Sequence, residues 1–322
     1  MRLLIGYEDY PLDPLRALLP GWDVFQSSPA DFAEMADGMD VVTPIAAKVD
    51  ADLLGKATFG FVQQFGVGLE TVDVDAATEA GVWVARLPGD ITGNADAVAE
   101  QAILLTLALG RQLDAARQTL RERKWAQPAG RSLSGSTVAI IGLGAIGLAT
   151  AKRLAGFGVR QLAVRARAEL GGPPEVAKVV GIDRLSEVLA EADVVISALT
   201  FGEHNRNFFD ANAFAAMKPG ALFVNVARGG LVDEAALLAA LDSGHIAGAG
   251  LDVLAVEPAD PADPLVNHPR VIATPHVGGV TQQVLFNSMI ALTDNIKRYA
   301  AGETLLWTVN EPSQVAQRRP QG

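Results

Sequence analysis

The chain has 322 residues, of which 49% are hydrophobic and 20% charged, so it can bury a sizeable core and is not expected to be disordered. This length favours two domains, and the formal net charge of -11 disfavours nucleic acid and anionic membranes as partners. The absence of cysteine excludes disulfides, thiolate metal sites and cysteine nucleophiles, and makes the cytoplasm the expected location.

Short apolar runs alternate with helical patterns through the first third of the chain. The runs RLLIGY, DVVTPI and FGFVQQFG are typical of strands. This alternation predicts parallel strands joined by crossover helices, hence a small α/β domain over residues 1–97. A last helix, QQVLFNSMIALTDNIKRYAAG, is predicted to return to it, so residues 287–322 belong to the same domain. Their polar end, QVAQRRPQG, is expected to fray.

The middle of the chain predicts a connecting helix and a second, larger sheet. From Ala97, the segment AVAEQAILLTLALGRQLDAARQTLRERKW is apolar at helical spacing for about seven turns. Strand-like runs then recur as TVAIIG, QLAVRA, DVVISAL, ALFVNV, AGAGLDVL and VIATPHV. With helices such as EAALLAALDSG between them, these runs predict a doubly wound domain over residues 98–286.

Three glycines follow the strand TVAII in the spacing G-x-G-x-x-G, at Gly142, Gly144 and Gly147. Gly142 permits a tight turn, Gly144 lets the backbone approach a pyrophosphate, and Gly147 lets helix and strand pack closely. The pyrophosphate would sit at the helix N-terminus, over Ala145 and Ile146. A plain packing turn is the alternative, but the strand-loop-helix context favours a dinucleotide site.

The second strand of this domain ends in basic rather than acidic residues. QLAV is followed by Arg165, Ala166 and Arg167, and no acid occurs before Glu169. An acidic side chain at this place binds the ribose 2'-hydroxyl of NAD, whereas arginine suits a 2'-phosphate. We therefore predict a preference for NADP(H), with NAD(H) also usable; two solvated arginines are the alternative.

Three polar residues stand inside apolar or glycine-rich segments of the second half. They are Arg228 in ALFVNVARGGLVDE, Glu257 in GLDVLAVEPAD and His276 in VIATPHVGG. Taken singly, each is more typical of a structural or surface residue. Each follows a strand-like run, however, and the carboxyl ends of parallel strands face one crevice, so the three could converge.

Several segments, in this order, resemble the D-isomer-specific 2-hydroxyacid dehydrogenases. They are QQFGVGLETVDVDAATEAGVWVARLPG, NADAVAEQ, the glycine loop, NVARGGLVDEAAL, DVLAVEP and TPHVGG, within residues 55 to 290. The resemblance implies an α/β fold with two doubly wound parallel-sheet domains, namely a central Rossmann dinucleotide domain and a discontinuous flavodoxin-like substrate domain. It also implies a homodimer.

The chemistry that this family implies can be matched to the residues. Reduction of a 2-oxo acid needs a hydride, a proton and a group that holds the carboxylate. Arg228 suits carboxylate binding, His276 suits proton transfer, and Glu257 suits pairing with His276. The resemblance further implies that Asp252 lies near the nicotinamide and that backbone around Gly66, Val67 and Gly68 binds the substrate carboxylate.

The predicted function is NADPH-dependent reduction of a small 2-oxo acid, of glyoxylate or hydroxypyruvate type, to the D-hydroxy acid. A 3-phosphoglycerate dehydrogenase and a dinucleotide-sensing protein akin to the co-repressors of this fold are the alternatives. No His, Asp or Glu set has metal-ligand spacing, so no metal is expected. The chain departs from the family at Leu199 and Thr200, where a Leu-Pro pair is common, and at Arg86, where a small polar residue is usual.

Overall fold

The computed structural model describes residues 1–313, so the predicted polar end of the chain lies outside the described residues. The chain divides into two compact units. The first comprises Met1–Gly93 together with the segment that begins at Gln282, and the second is Asn94–Thr281. The boundaries predicted at 97/98 and 286/287 fall inside helices that begin at Asn94 and Gln282, so the helix starts are the better bounds.

Both units are built from strands and helices in alternation. The strands are β1 (Arg2–Ile5), β2 (Asp23–Gln26), β3 (Val41–Thr43), β4 (Phe61–Gln63), β5 (Trp83–Ala85), β6 (Thr137–Ile141), β7 (Arg160–Val164), β8 (Val176–Val180), β9 (Val194–Ser197), β10 (Ala221–Asn225), β11 (Ile246–Leu251) and β12 (Val271–Ala273). The helices are α1 (Leu12–Leu18), α2 (Phe32–Met35), α3 (Ala51–Lys56), α4 (Val74–Glu79), α5 (Gly89–Thr92), α6 (Asn94–Gly110), α7 (Leu113–Arg121), α8 (Ala145–Leu154), α9 (Leu185–Glu191), α10 (Ala211–Ala216), α11 (Glu234–Asp242) and α12 (Gln282–Ala301).

The first unit has a five-stranded parallel sheet in the order β2-β1-β3-β4-β5, which is the flavodoxin-like order. Because side chains alternate along a strand, Leu3 and Ile5 of β1 enter one core layer and Leu4 enters the other. The layer around Leu3 also contains Leu292 and Ile296 of α12, so the C-terminal helix completes this unit.

The second unit has a seven-stranded parallel sheet in the order β12-β11-β10-β9-β6-β7-β8. The strand order reverses between β6 and β9, which is the switch point of a Rossmann sheet. Strand β6 is buried on both faces: Val138 and Ile140 enter one core layer, and Ala139 and Ile141 the other. The predicted fold class is confirmed.

Two details of the second unit differ from the sequence-based prediction. The helix expected to run unbroken from residue 97 ends at Gly110 and restarts at Leu113, because Gln112 adopts a left-handed conformation with φ 48°. Strand β8 was not predicted, since its sequence VAKVV lies at the sheet edge and is only partly buried. Among the described residues, no helix is both long and apolar enough to cross a membrane.

Candidate active site

The glycine loop connects β6 to α8 in the second unit. Gly142 has φ 106°, and a Cβ there would lie 2.6 Å from the carbonyl oxygen of Ala198. A Cβ at Gly147 would overlap the carbonyl oxygen of Gly142. A Cβ at Gly144, in contrast, would meet no atom within 4 Å. The turn and the packing therefore require two of the glycines, while Gly144 leaves its backbone open to a ligand.

The N-terminus of α8 presents unused backbone donors beside this open backbone. Gly144 is the N-cap residue and has no side chain to cap the helix. The N–H groups of the first turn, which includes Ala145 and Ile146, have no intrahelical acceptor, and the helix dipole favours an anion there. These features fit the pyrophosphate of a dinucleotide.

The two arginines after β7 have different surroundings. Arg165 is half-buried, and its Nη1 donates a hydrogen bond to the carbonyl oxygen of Gly171 at 2.7 Å. Arg167 is exposed, and within residues 1–313 its guanidinium makes no hydrogen bond or ion pair. Arg165 thus holds the 165–171 turn, and Arg167 is the more available of the two for an anionic ligand.

A buried asparagine shapes the turn that carries Arg228. Asn225 is the last residue of β10; its Nδ2 donates to the carbonyl oxygen of Arg228 at 2.9 Å, and its Oδ1 accepts from the N–H of Ala227 at 3.1 Å. The Nη1 of Arg228 donates to the carbonyl oxygen of Ala227 at 2.7 Å. The half-buried guanidinium therefore lies at the carboxyl end of β10, where ligands bind in open α/β sheets.

Glu257 and His276 are hydrogen-bonded to each other. The distance from His276 Nδ1 to Glu257 Oε2 is 2.8 Å, and the side chains are 46% and 38% exposed, respectively. Burial raises the pKa of Glu257, but the hydrogen bonds from His276 and from the Leu254 N–H, with the charges of His276 and Arg228, outweigh it. The pKa of Glu257 is therefore lowered, so the side chain is a carboxylate at neutral pH and keeps its place beside the imidazole.

Asp252 holds the turn that carries His276. This carboxylate is only 2% exposed; its Oδ1 accepts from the Thr274 hydroxyl at 2.6 Å and the Val277 N–H at 3.0 Å, and its Oδ2 accepts from the Gly278 N–H at 2.8 Å. The Asp252 carbonyl oxygen also accepts from the His276 N–H at 2.8 Å. Since His276 has φ 53°, a conformation that non-glycine residues rarely adopt, these bonds compensate for local strain.

The loop that carries Glu257 packs directly on the loop that carries Arg228. A Cβ at Gly229 would overlap the backbone of Leu254. Glu234 accepts a hydrogen bond from the Ala255 N–H at 2.8 Å, and Glu257 accepts one from the Leu254 N–H at 3.0 Å. Burial is the main cause that raises the pKa of Glu234. Gly229 and the Glu234 carboxylate therefore fix the spacing of the two loops, and Glu257 braces its own loop.

The expected substrate contacts Val67 and Gly68 lie on a loop of the first unit, directly after β4. Gln64 supports this loop, because its Oε1 accepts from the N–H groups of Phe65 at 3.0 Å and Ile45 at 3.1 Å. Val67 is exposed. The loop is therefore held at its base and open at its tip.

The structure brings part of the predicted set together within the second unit. Glu257 and His276 are in direct contact, and the charge of Arg228 acts on Glu257. Four supporting residues were not found from the sequence, although each is a polar residue in a largely apolar segment: Gln101, Asn225, Glu234 and Thr274. Gln101, on α6, donates to the Thr274 hydroxyl at 2.9 Å and so reaches the Asp252 network.

The chain is similar in sequence to known proteins over most of its length. Residues 103–278 match the sequence model described as D-isomer specific 2-hydroxyacid dehydrogenase, NAD binding domain. The chain is 40% identical over 270 residues to a D-3-phosphoglycerate dehydrogenase of Mycobacterium tuberculosis, covering 82% of this chain and 50% of that protein. It is 34% identical over 301 residues to the Bacillus subtilis protein of the same name, covering 90% and 55%. The chain thus spans about half the length of these relatives.

A solved structure matches along nearly the whole chain. The crystal structure of the TT0316 protein from Thermus thermophilus superposes with a TM-score of 0.83 at 30% sequence identity. The match covers 96% of this chain and 100% of that one.

Proposed function

Because the chain belongs to the D-isomer specific 2-hydroxyacid dehydrogenase family, we propose that it interconverts a 2-oxo acid and the D-2-hydroxy acid with a nicotinamide dinucleotide. The hydrogen bond of 2.8 Å between Glu257 and His276 is the observation that carries this proposal. It sits in the same unit as Arg228 and the glycine loop, so one domain holds both the proton-transfer pair and the dinucleotide cradle.

Each residue has one task in this reaction. The bound dinucleotide supplies or accepts the hydride at C2 of the substrate. Arg228 pairs with the substrate carboxylate and polarises the neighbouring carbonyl. Since Glu257 accepts from Nδ1 of His276, the other ring nitrogen, Nε2, gives its proton to the carbonyl oxygen during reduction. The Glu257 carboxylate stabilises the imidazolium before the transfer and fixes the plane of the ring.

The second part of the proposal is a preference for NADP(H) over NAD(H), with both usable. The exposed Arg167 and the neighbouring Arg165 support it, because guanidinium groups pair with a 2'-phosphate. Arg167→Asp should lower the ratio of kcat/KM for NADPH to that for NADH by about tenfold or more, since it removes a pair and adds a repulsion. An unchanged ratio in both Arg167→Asp and Arg165→Asp would refute the preference.

Two substrate classes remain candidates. Glyoxylate and hydroxypyruvate are the small 2-oxo acids proposed from the sequence. The oxidised form of 3-phosphoglycerate is the second candidate, because the curated relatives named above are D-3-phosphoglycerate dehydrogenases. Both share the 2-oxo acid group on which Arg228 and His276 would act.

A panel of substrates tests the proposal. Glyoxylate, hydroxypyruvate, phosphohydroxypyruvate, pyruvate and a bulkier 2-oxo acid are each tested with NADH and NADPH. Arg228→Ala should reduce kcat/KM by at least a hundredfold, because a bidentate ion pair at the reacting group is lost. Arg131→Ala is the matched control, since Arg131 also donates to a backbone carbonyl, that of Gly220 at 2.7 Å. Cofactor binding without turnover on any substrate would favour a dinucleotide sensor instead.

We also propose that the chain forms a homodimer through the segment around α7. No residue of this helix is buried, and Leu120 and Trp125 are 76% and 90% exposed. Exposed large apolar side chains of this kind are typical of protein interaction sites. Sedimentation velocity should give the mass of a dimer for the wild-type chain and that of a monomer for Leu120→Glu; a wild-type monomer would contradict the proposal.

A further inference from the structure

The loop over Gly66, Val67 and Gly68 has the backbone of an anion site. Among residues 1–313, none of these three N–H groups donates a hydrogen bond, and the loop follows β4 at the carboxyl edge of the parallel sheet. Successive backbone N–H groups that face outward form a concavity that binds anions. Here they are available to a carboxylate.

Arg86 contacts the far side of the same loop. It follows β5, the neighbour of β4, and its Nη1 donates to the carbonyl oxygen of Val67 at 3.2 Å. The N–H of Leu87 donates to the carbonyl oxygen of Gly66 at 3.1 Å, which ties the two segments together. The cation is therefore fixed on the peptide that joins Val67 and Gly68.

This peptide points its two polar groups in opposite directions. The Val67–Gly68 bond is not among the cis bonds of the described chain, so the carbonyl that Arg86 holds and the N–H of Gly68 are antiparallel. A charge bonded to the oxygen of a peptide draws electrons toward it and strengthens the N–H as a donor, because hydrogen bonds in a chain polarise one another.

The charge of Arg86 is not neutralised within the first unit. No described Asp or Glu carboxylate lies within ion-pair distance of this exposed guanidinium. In a chain with a net charge of -11, an unpaired cation on a loop of bare N–H groups attracts an anion.

We propose that Arg86 is a positioning residue that orients and polarises the Val67–Gly68 peptide, and thereby strengthens the binding of the substrate carboxylate. This inference rests on the proposed function and on the proposed contacts at Val67 and Gly68. Arg86 acts through the peptide and does not touch the reacting atoms. It sets the affinity for 2-oxo acids over neutral carbonyl compounds and leaves the rate of the bound complex unchanged.

Three variants separate the charge of Arg86 from its tether. Arg86→Gln keeps an amide N–H donor on a shorter side chain but loses the charge, Arg86→Lys keeps the charge, and Arg86→Ala loses both. Arg16→Gln is the matched control, because Arg16 is also exposed and its Nη2 donates to the carbonyl oxygen of Val24 at 3.1 Å.

The measurements are KM and kcat for pyruvate and hydroxypyruvate, and the Kd of oxamate, a non-reacting 2-oxo acid analogue, by calorimetry in the presence of the oxidised and reduced cofactor. Methylglyoxal, which lacks the carboxylate, is the neutral comparison. Arg86→Gln should raise KM and the oxamate Kd about three- to tenfold with kcat unchanged, and Arg86→Lys should largely restore them. The effect should shrink as salt is raised, and methylglyoxal should show none of it.

Five results would decide against the inference or its premise. If KM is unchanged in Arg86→Gln but raised in Arg86→Ala, Arg86 only holds the loop and its charge does not contribute to binding. A fall in kcat without a change in KM, or an equal effect on methylglyoxal, would also overturn it. A wild-type enzyme that turns over no 2-oxo acid would instead refute the proposed function; the oxamate Kd would then still report on the anion site, and an unchanged Kd in Arg86→Gln would refute that too.

Discussion

Asp252→Asn tests whether one buried carboxylate holds His276, the proposed proton donor, in place. The two carboxylate oxygens accept from the N–H groups of Val277 and Gly278 and from the hydroxyl of Thr274. An asparagine has one acceptor oxygen, so in either orientation its amide NH2 faces a backbone N–H. One backbone donor then loses a charge-assisted bond worth about 1.5–3 kcal/mol and stays buried without an acceptor.

The predicted effect has a structural part and a catalytic part. The loss of about 1.5–3 kcal/mol corresponds to about a 10- to 100-fold faster exchange of the orphaned amide, either Val277 or Gly278. Because His276 lies next to these amides with φ 53°, its ring should shift, and kcat should fall about a hundredfold, the cost of a displacement of about 1 Å.

Hydrogen exchange by NMR and steady-state kinetics measure the two parts on one sample. Asp193→Asn is the matched control, since Asp193 also accepts from a backbone N–H, that of Thr137 at 2.9 Å. Thr274→Val adds an intermediate case, because it removes one bond to Asp252 and leaves the charge. If Asp252→Asn shows the wild-type hydrogen-exchange rates at Val277 and Gly278 and the wild-type kcat, Asp252 does not hold His276 in place.

Three further predictions follow from the same geometry. Gly147→Ala should destabilise the fold by about 1–3 kcal/mol, because the added methyl group overlaps backbone atoms. Gly144→Ala should leave the stability unchanged but weaken dinucleotide binding, which calorimetry measures. Glu234→Ala should lower kcat and reduce the free energy of unfolding, measured with urea, by about 1–3 kcal/mol, since the N–H of Ala255 loses its acceptor. Glu234→Gln keeps an acceptor oxygen and should therefore keep most of the wild-type kcat and stability. Because the pKa of Glu257 is lowered, the wild-type protein should have a larger free energy of unfolding than Glu257→Gln above pH 4.5. This advantage should be lost as the pH falls below 4.5, as measured by urea unfolding at several pH values.

Opposite results would contradict each of these predictions. Equal stability losses in the two glycine variants would mean that the loop tip is not open to a ligand. Identical behaviour of the alanine and glutamine variants at position 234 would show that the Ala255 N–H does not depend on this side chain. A stability difference at position 257 that grows as the pH falls would mean that the pKa of the carboxyl is raised rather than lowered.

The sheets could be read from the sequence wherever their strands are buried on both faces. TVAII, DVVIS and ALFVN are continuous apolar runs because helices cover both sides of the central sheet. The edge strand β8 (Val176–Val180) was not predicted, because it is only partly buried and its apolar run is interrupted by Lys178. The break at Gln112 was not predicted, although Gly110 lies two residues before it, because the apolar spacing continues past it.

The sequence pointed to the residues with chemical roles in the candidate site, but not to the residues that hold them in place. Arg228, Glu257 and His276 stood out as polar residues in apolar or glycine-rich surroundings. Asn225 and Glu234 did not, because their contribution is a hydrogen bond to backbone that only the folded loops bring within reach. A left-handed φ at His276 is likewise invisible in the sequence, since the tertiary bonds to Asp252 impose it.

The most direct test of the central claim is the product of hydroxypyruvate reduction with a reduced nicotinamide dinucleotide that carries deuterium at both C4 positions, examined by chiral chromatography and mass spectrometry. The wild-type chain should form D-glycerate with deuterium at C2, and His276→Ala should form at most about a hundredth as much per unit time while still binding the cofactor. Racemic or L-glycerate, absence of the label, or undiminished turnover by His276→Ala would contradict the account.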